Sequence, residues 1–486
     1  MTSTSYDLIV LGAGPVGQNV ADRAVQGGLT VAIVENELVG GECSYWACIP
    51  SKVLLRSGVA IRAAQAVPGA REAVTAELDV VAVFARRNRF THDWTDGHEA
   101  KWLAGAGIDL FRGQGRFTAV KEVTVTGQDG SATVLTARHA VAVTTGSTAL
   151  MPDIPGLMEA KPWTSREATS AQKAPASLAI LGGGVVAVEM ATAFASFGTN
   201  VTIIARSGLL GGNEPFAGEM VADALRTLGA TLKLGASPRS VNRSGDKVTI
   251  ELDTGNTGYS GDTGNTGDTV VAEELLVATG RAPNTSDIGL ESIGLTPGDW
   301  LTTDDTLLVT GTDWLYACGD ANNRALLTHQ GKYQARAAGD VIVARAAGTA
   351  VDDARWGSHA ATADHEAVPQ VIFSDPEVAA VGLTAAAAEK AGYDIRVVDY
   401  NLGWVSGASV LADDYTGRAR MVVDEKRHVV LGVTFVGQDV AELIQAATIA
   451  IVGEVPLERL WHAVPAFPTM SEVWLRLLEA YGRPTR

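Results

Sequence analysis

Apolar positions in this chain gather into short unbroken runs that end at glycine, with stretches of helical spacing between them. The first run, Tyr6 to Leu11, is apolar except for Asp7 and has the length of a buried parallel strand. Gly12-Ala-Gly14-Pro-Val-Gly17 follows at once, then a helical stretch to Gly27, then a second strand, "TVAIVE", that ends in Glu35. The same order returns at "SLAILGGGVVAVEMATAFASFGTNVTIIAR", where Gly182, Gly184 and Ala187 hold the small-residue positions. "AVTTGS" (142–147) and "LLVATGRAPN" (275–284) each predict a strand entering a glycine turn, where the chain crosses between domains. "TDWLYACGDANNRALLTHQGKYQARAAG" places Asp320 just after a buried strand and predicts a helix from about Thr328. From about residue 365 the pattern changes to an α+β domain. The Gly/Thr/Asp/Asn repeat at 254–269 lacks the closing glutamate of a calcium loop, so it reads as a hairpin tip in the second dinucleotide domain.

Strand, glycine turn, helix, strand and acidic residue make up a dinucleotide-binding unit. The glycines let the backbone turn tightly and approach a pyrophosphate, which then rests on a helix N-terminus where free N–H groups favour negative charge. Glu35 is placed to accept ribose hydroxyls. Two such units imply two dinucleotides, a far more specific signal than either alone. In the second unit the strand ends Ile204-Ala205-Arg206, with no carboxylate. An arginine there favours the 2′-phosphate of NADPH, with NADH as the alternative and a solvated strand-end residue as the plainer reading. The second arginine that would strengthen the case is absent, since Gly212 stands six residues on. Asp320 suits a polyol hydroxyl, and the helix start near Thr328 suits an electron-rich ring.

Composition narrows the field. With 486 residues the chain has room for about three domains. Its 46% hydrophobic and 19% charged content describes a soluble protein with an ample core. The formal net charge of −17, with no basic run against it, disfavours nucleic acid and anionic membranes as partners. The N-terminal apolar run has no basic residues before it and breaks at glycine, so a signal peptide or membrane span is not expected and a cytoplasmic location is the default.

Two of the three cysteines stand in "GGECSYWACIPSK", as Cys43 and Cys48. A metal site would need more ligands than this spacing brings. Two buried thiols, or a redox pair made reactive by a helix start, both fit the pattern. Cys318 lies in a predicted strand and reads as core.

Taken together, these motifs make the chain resemble the flavoprotein disulfide reductases, the group of lipoamide dehydrogenase, glutathione reductase and mercuric reductase. The likeness rests on Gly12-x-Gly14-x-x-Gly17 with Glu35, Cys43-x4-Cys48 followed by Ile-Pro-Ser-Lys52, and the second glycine unit with Glu189. Ala278-Thr-Gly-Arg281, Gly319-Asp320 and Pro468-Thr-x-x-Glu472 complete it. It implies an α/β fold with two Rossmann-like domains and a C-terminal α+β dimerisation domain. FAD would bind to 1–155 with 281–355, NAD(P)H to 156–280, and a homodimer would form through 365–486. The resemblance makes Cys43 and Cys48 a redox-active disulfide, with Cys48 over the flavin and Cys43 facing a small-molecule electron acceptor, as nucleophile if its pKa is depressed. Lys52 would lie near the flavin and pair with Glu189, and Glu472 would be the late acidic residue of the site. Gly41, Gly115, Thr145, Gly146, Gly280, Arg281, Asp320 and Thr328 join the residues expected at the cofactors, and no metal is expected.

The chain also departs from the family pattern. The late motif of the thiol-handling members begins with a histidine that shuttles protons across the dimer, whereas here the segment is "HAVPAFPTMSEVW". Phe467 takes the histidine's place and leaves Glu472 without its usual partner. His462 reads as a surface residue at a helix end. Mercuric reductase also lacks that histidine, but no N-terminal metal-binding module is expected here and the stretch "LLEAYGRPTR" holds no cysteine pair. Val185-Val186 replace a tyrosine that gates the nicotinamide pocket of glutathione reductases. Tyr45 and Trp46 replace small residues inside the cysteine loop, where packing is favoured over stacking on an acceptor. The expected activity is NAD(P)H oxidation through FAD and the Cys43–Cys48 disulfide to a two-electron acceptor. A quinone or metal-ion reductase and a non-catalytic flavin-binding subunit are the alternatives.

Overall fold

The computed structural model describes residues 3–254 and 268–483. The hairpin tip expected at 254–269 falls almost wholly outside them. In chain order the elements around the site begin with β1 (Ser3–Leu11), α1 (Pro15–Gln26), β2 (Val31–Glu35), α2 (Gly41–Tyr45) and α3 (Cys48–Gln65). Strands β3 (Ile108–Arg112), β4 (Gln114–Ala119), β5 (Glu122–Thr126), β6 (Ala132–Val143) and β7 (Ser147–Ala149) follow. The second glycine unit is β8 (Ser177–Leu181), α4 (Val185–Ser196) and β9 (Asn200–Ala205), succeeded by β10 (Thr231–Leu234), β11 (Ala236–Ser244), β12 (Lys247–Thr254), β13 (Thr269–Ala272) and β14 (Glu274–Val277). The chain continues through β15 (Arg281–Pro283), β16 (Leu315–Ala317) and α5 (Thr328–Ala346). It closes with β17 (Pro369–Ile372), β18 (Glu377–Gly382), β19 (Ile395–Asn401), β20 (Arg418–Asp424) and β21 (Val429–Gly437).

Contacts divide the chain into two units. The first holds residues 1–50, 88–149 and 281–365, and the second holds 51–87, 150–280 and 366–486. The first unit is built on a sheet in the order β3-β2-β1-β6-β5-β4, with β16 beside β6. Strands β3, β2, β1, β6 and β16 run parallel, while β4 and β5 form an antiparallel flank. Leu8, Ile9 and Val10 of β1 are wholly buried, as expected of a central strand covered on both faces. Helix α1 buries Gly17, Val20, Ala21 and Ala24 and packs along α5. The close approach needs glycine, because a Cβ at Gly339 would lie 2.6 Å from that of Arg23.

The second unit contains the parallel sheet β10-β9-β8-β14, the antiparallel sheet β11-β12-β13 and the antiparallel sheet β17-β18-β21-β20-β19. Helix α4 is buried at every position from Ala187 to Phe194. A helix apolar on all sides belongs inside a core, so the one carboxylate in that stretch, Glu189, must find a partner. Among the described residues no helix is long and apolar enough to cross a membrane.

Candidate active site

In the first unit, the five-residue helix α2 and the first residue of α3 hold the thiols. Cys43 lies in α2, whose end is closed by the N–H groups of Trp46 and Ala47, both donating to the Glu42 carbonyl at 2.8 and 2.7 Å. Cys48 then opens α3. Both cysteines are free thiols, partly buried, and the Cys43 thiol is hydrogen-bonded to Cys48. The Cys48 sulfur also lies 3.2 Å from the hydroxyl of Thr328, the first residue of α5. Cys318 is buried core.

Cys43 was expected as the nucleophile on condition of a depressed pKa, and in the contact pair the shift runs the other way. Its hydrogen bond to Cys48, followed by burial, pushes the Cys43 thiol well up, against the smaller pull of Thr328 and Lys332. Two thiols in contact cannot both ionise easily, so the proton of Cys43 is held. Activation at Cys43 therefore depends on relief of that contact.

The first glycine turn is shaped to admit a pyrophosphate. Gly12 has φ 99°, and Thr144 Oγ1 donates to the Leu11 and Gly12 carbonyls at 2.9 Å each. A Cβ at Gly41, φ 57°, would sit 3.0 Å from the Gly14 Cα, so the two backbones leave a bare cradle at the start of α1. Gly14 caps α1 without a side chain, leaving the first-turn N–H groups to a ligand. Glu35 accepts the N–H of Ala13 and of Glu37 at 2.8 Å each, and burial raises its pKa against the pull of these bonds. Thr145 Oγ1 is buried without a hydrogen-bond partner among the described residues, as a group that awaits a ligand would be. Gly146, φ 74°, turns the chain beside it. Gly115 serves packing, since a Cβ there would press on Leu11 and Val34.

Arg281 is a brace. Its guanidinium donates to the Ser147 hydroxyl and carbonyl at 2.5 Å each, and Ser147 Oγ donates to Asp320 at 2.5 Å. The turn at Gly319-Asp320 is held from α5, where Gln334 accepts from Gly319 N and Asn322 Nδ2 and donates to buried Asp364. Sequence reading missed Ser147 and Gln334. Ser147 was within sight at the end of "TTGS", but Gln334 carries no motif.

In the second unit, Lys52 Nζ lies 2.8 Å from Glu189 Oε2 and 5.0 Å from the centre of the Phe373 ring, and Phe373 N donates to Glu189 Oε1 at 3.0 Å. Gly182, φ 122°, would press a Cβ onto the Ala278 carbonyl, whereas Gly184 faces open space at the start of α4 and Ala187 is buried behind it. Arg206 is exposed just past β9, with no pairing group among the described residues. Gly280, φ 141°, receives the Leu150 N–H at its carbonyl.

Glu472 is not left unpartnered. Arg476 Nη2 donates to it at 2.5 Å and Nε at 3.1 Å, and Ser406 N donates at 3.2 Å. An arginine one helical turn on takes up the charge. Phe467 is 76% exposed, and His462 is exposed too. Tyr45 is buried and donates toward the carbonyls of Val39 and Thr95 at 3.2 and 3.3 Å, so it packs within its own unit. Among the described residues no group of histidine, cysteine and carboxylate side chains is arranged to hold a metal ion.

Comparison with known proteins agrees with this geometry. The family described as pyridine nucleotide-disulphide oxidoreductase matches residues 6–342, and its dimerisation domain matches 368–477. The chain is 31% identical to the mercuric reductase of Shigella flexneri over 482 residues, covering 97% of this chain and 80% of that protein. It is 30% identical to the dihydrolipoyl dehydrogenase of Haloferax volcanii over 494 residues, covering 98% and 96%. The Cu(II) complex of the HOCl-induced flavoprotein disulfide reductase RclA from Escherichia coli superposes with a TM-score of 0.81 at 24% identity, covering 98% and 99%, and shares the fold.

Proposed function

Because the chain belongs to the pyridine nucleotide-disulphide oxidoreductases, FAD-dependent enzymes that use NAD(P)H, we propose that it passes electrons through a Cys43–Cys48 disulfide to a two-electron acceptor. The observation that carries this reading is the thiol pair itself, two sulfurs in hydrogen-bond contact with the Thr328 hydroxyl on Cys48. Bound FAD supplies the two-electron path between a nicotinamide and that disulfide. Gly12, Gly14, Gly17 and Gly41 would admit its pyrophosphate, Glu35 and Asp320 its hydroxyls, and Thr145 and Gly146 the adjoining edge. In the second unit Gly182, Gly184, Ala187 and Arg206 would hold NADPH, and Lys52 with Glu189 would provide fixed charge. Residues 365–486 would form a homodimer, and the location would be cytoplasmic.

The chemistry balances at the thiols. The disulfide takes two electrons and two protons to give Cys43 and Cys48 as thiols. When Cys43 is deprotonated it attacks an outside disulfide, forming one S–S bond as another breaks and releasing a thiolate. Cys48 then loses its proton to solvent and attacks Cys43, restoring the internal disulfide and releasing the second thiolate. With Phe467 exposed where an imidazole would shuttle protons, and Glu472 held by Arg476, the favoured acceptor is one whose leaving group needs no proton. An activated aromatic disulfide meets that condition, while a quinone or a metal ion as substrate releases no thiolate and draws any proton it needs from solvent. Anaerobic reduction of the purified protein tests the relay. Two electrons should enter the flavin and two more the thiol pair, while Cys43→Ser takes only the first two. Wild-type uptake equal to that of Cys43→Ser would overturn the reading. Steady-state NADPH oxidation against disulfides, quinones and Hg(II) then names the acceptor.

A further inference from the structure

We propose that Trp94 is a positioning residue for the Cys43–Cys48 pair, its indole fixing the bend between the two helical pieces that carry the thiols. Trp94 Nε1 donates to the Tyr45 carbonyl at 3.2 Å. That carbonyl lies in the last turn of α2, where the chain breaks before α3 and intrahelical donors run out. Two further ties join the same loop to α2, one at its last residue and one at the segment just before it. The Tyr45 hydroxyl reaches the Thr95 carbonyl at 3.3 Å, and Asp96 Oδ2 accepts the Val39 N–H at 2.7 Å while pairing with Arg112 at 2.6 Å.

The loop is strained where it makes this contact. His92, Asp93 and Trp94 all lie in the left-handed region, with φ of 49°, 48° and 53°, and none is glycine. Three such residues in a row persist only where the surroundings over-determine them, and strain of this kind clusters at functional positions. The surroundings here are the thiol bend. Buried Thr91 anchors the loop's start, and the Trp94 and Thr95 N–H groups turn back onto the Thr91 and His92 carbonyls.

The consequence is a redox one. A disulfide forms more readily when each thiol is held at high effective concentration at the other. Loosening the bend lowers that concentration and favours the dithiol. The inference rests on the proposed relay, and its test separates the two. The flavin-loaded protein is equilibrated in dithiothreitol buffers of graded poise, and the oxidised fraction of Cys43 and Cys48 is read by alkylation and mass spectrometry. Trp94→Phe keeps an aromatic ring but loses the donor. It should lower the oxidised-to-reduced ratio about tenfold at a given poise, a midpoint shift of about 30 mV toward easier reduction. Tyr45→Phe, which removes a second tie, should shift it the same way and serves if Trp94→Phe does not fold. Asp93→Gly relieves strain without touching either tie and should match wild type. Unchanged midpoints in both aromatic variants, or an equal shift in Asp93→Gly, would overturn the proposal. A wild-type pair that never forms a disulfide would overturn the relay instead.

Discussion

Removing the ammonium of Lys52 tests how the buried end of Glu189 is held. The Glu189 side chain is 4% exposed and that of Lys52 is 34% exposed, with 2.8 Å between their charged atoms. At an effective dielectric constant of 20, unit charges about 4 Å apart attract by about 4 kcal/mol. Breaking a fully buried pair from one side costs about 3–5 kcal/mol, because a bare charge is left behind. Water already reaches the ammonium here, so about 2 kcal/mol is the reasoned loss for Lys52→Met. Glu189→Gln keeps an oxygen for the Phe373 N–H and lets the lysine turn to solvent, so it should cost about 1 kcal/mol. The double variant should cost less than the sum, leaving a coupling of about 1–2 kcal/mol. Because a chain with several domains need not unfold in two states, the measurement should be local. Hydrogen exchange of peptides covering Phe373 and α4 is suitable, and about 2 kcal/mol should appear as roughly 30-fold faster exchange in Lys52→Met. Additive single-variant effects, or wild-type exchange in Lys52→Met, would show that packing and the Phe373 N–H hold Glu189 without the lysine.

Three other outcomes follow from the same geometry. Arg206→Ala should raise the Michaelis constant for NADPH about tenfold or more and leave that for NADH nearly unchanged, since a charge-assisted bond to a 2′-phosphate is worth roughly 1.5–3 kcal/mol; equal wild-type kinetics with both cofactors would count against it. Phe467→His alone should do little for disulfide turnover while Arg476 holds Glu472, whereas adding Arg476→Met should free the carboxylate to orient the imidazole and approach a gain on the order of 10². A large rise in the single variant would refute that account. Burial, then the hydrogen bond and charge of Asp109, push the Tyr6 phenol up to about 12. A raised acid contributes stability that is whole below its unfolded pKa, about 10, and is lost as pH rises toward 12, so thermal melts in that window should fall more steeply for wild type than for Tyr6→Phe.

Much of this protein was legible in its sequence because the information is local. Strand, glycine turn and helix at Gly12 to Gly17 and again at Gly182 to Ala187 lie within one supersecondary unit each, and a turn that must leave room for a ligand backbone tolerates few residues other than glycine. The thiol pair and its helix start were likewise contained in one short stretch. Among partnerships between distant side chains, that of Lys52 with Glu189 was expected from the resemblance, whereas others were beyond such reading. Whether Glu472 was free or held depended on where Arg476 pointed, and Arg281 became a brace because β15 pairs with β7 and brings Ser147 beside it. Gln334 and Trp94 carry no motif, and only folding places one on the Gly319 turn and the other on the Tyr45 carbonyl. The ionisation of Cys43 shows the division most clearly. Spacing announced two sulfurs, but the hold on the Cys43 proton depends on the contact between them and on burial, and both are products of tertiary packing.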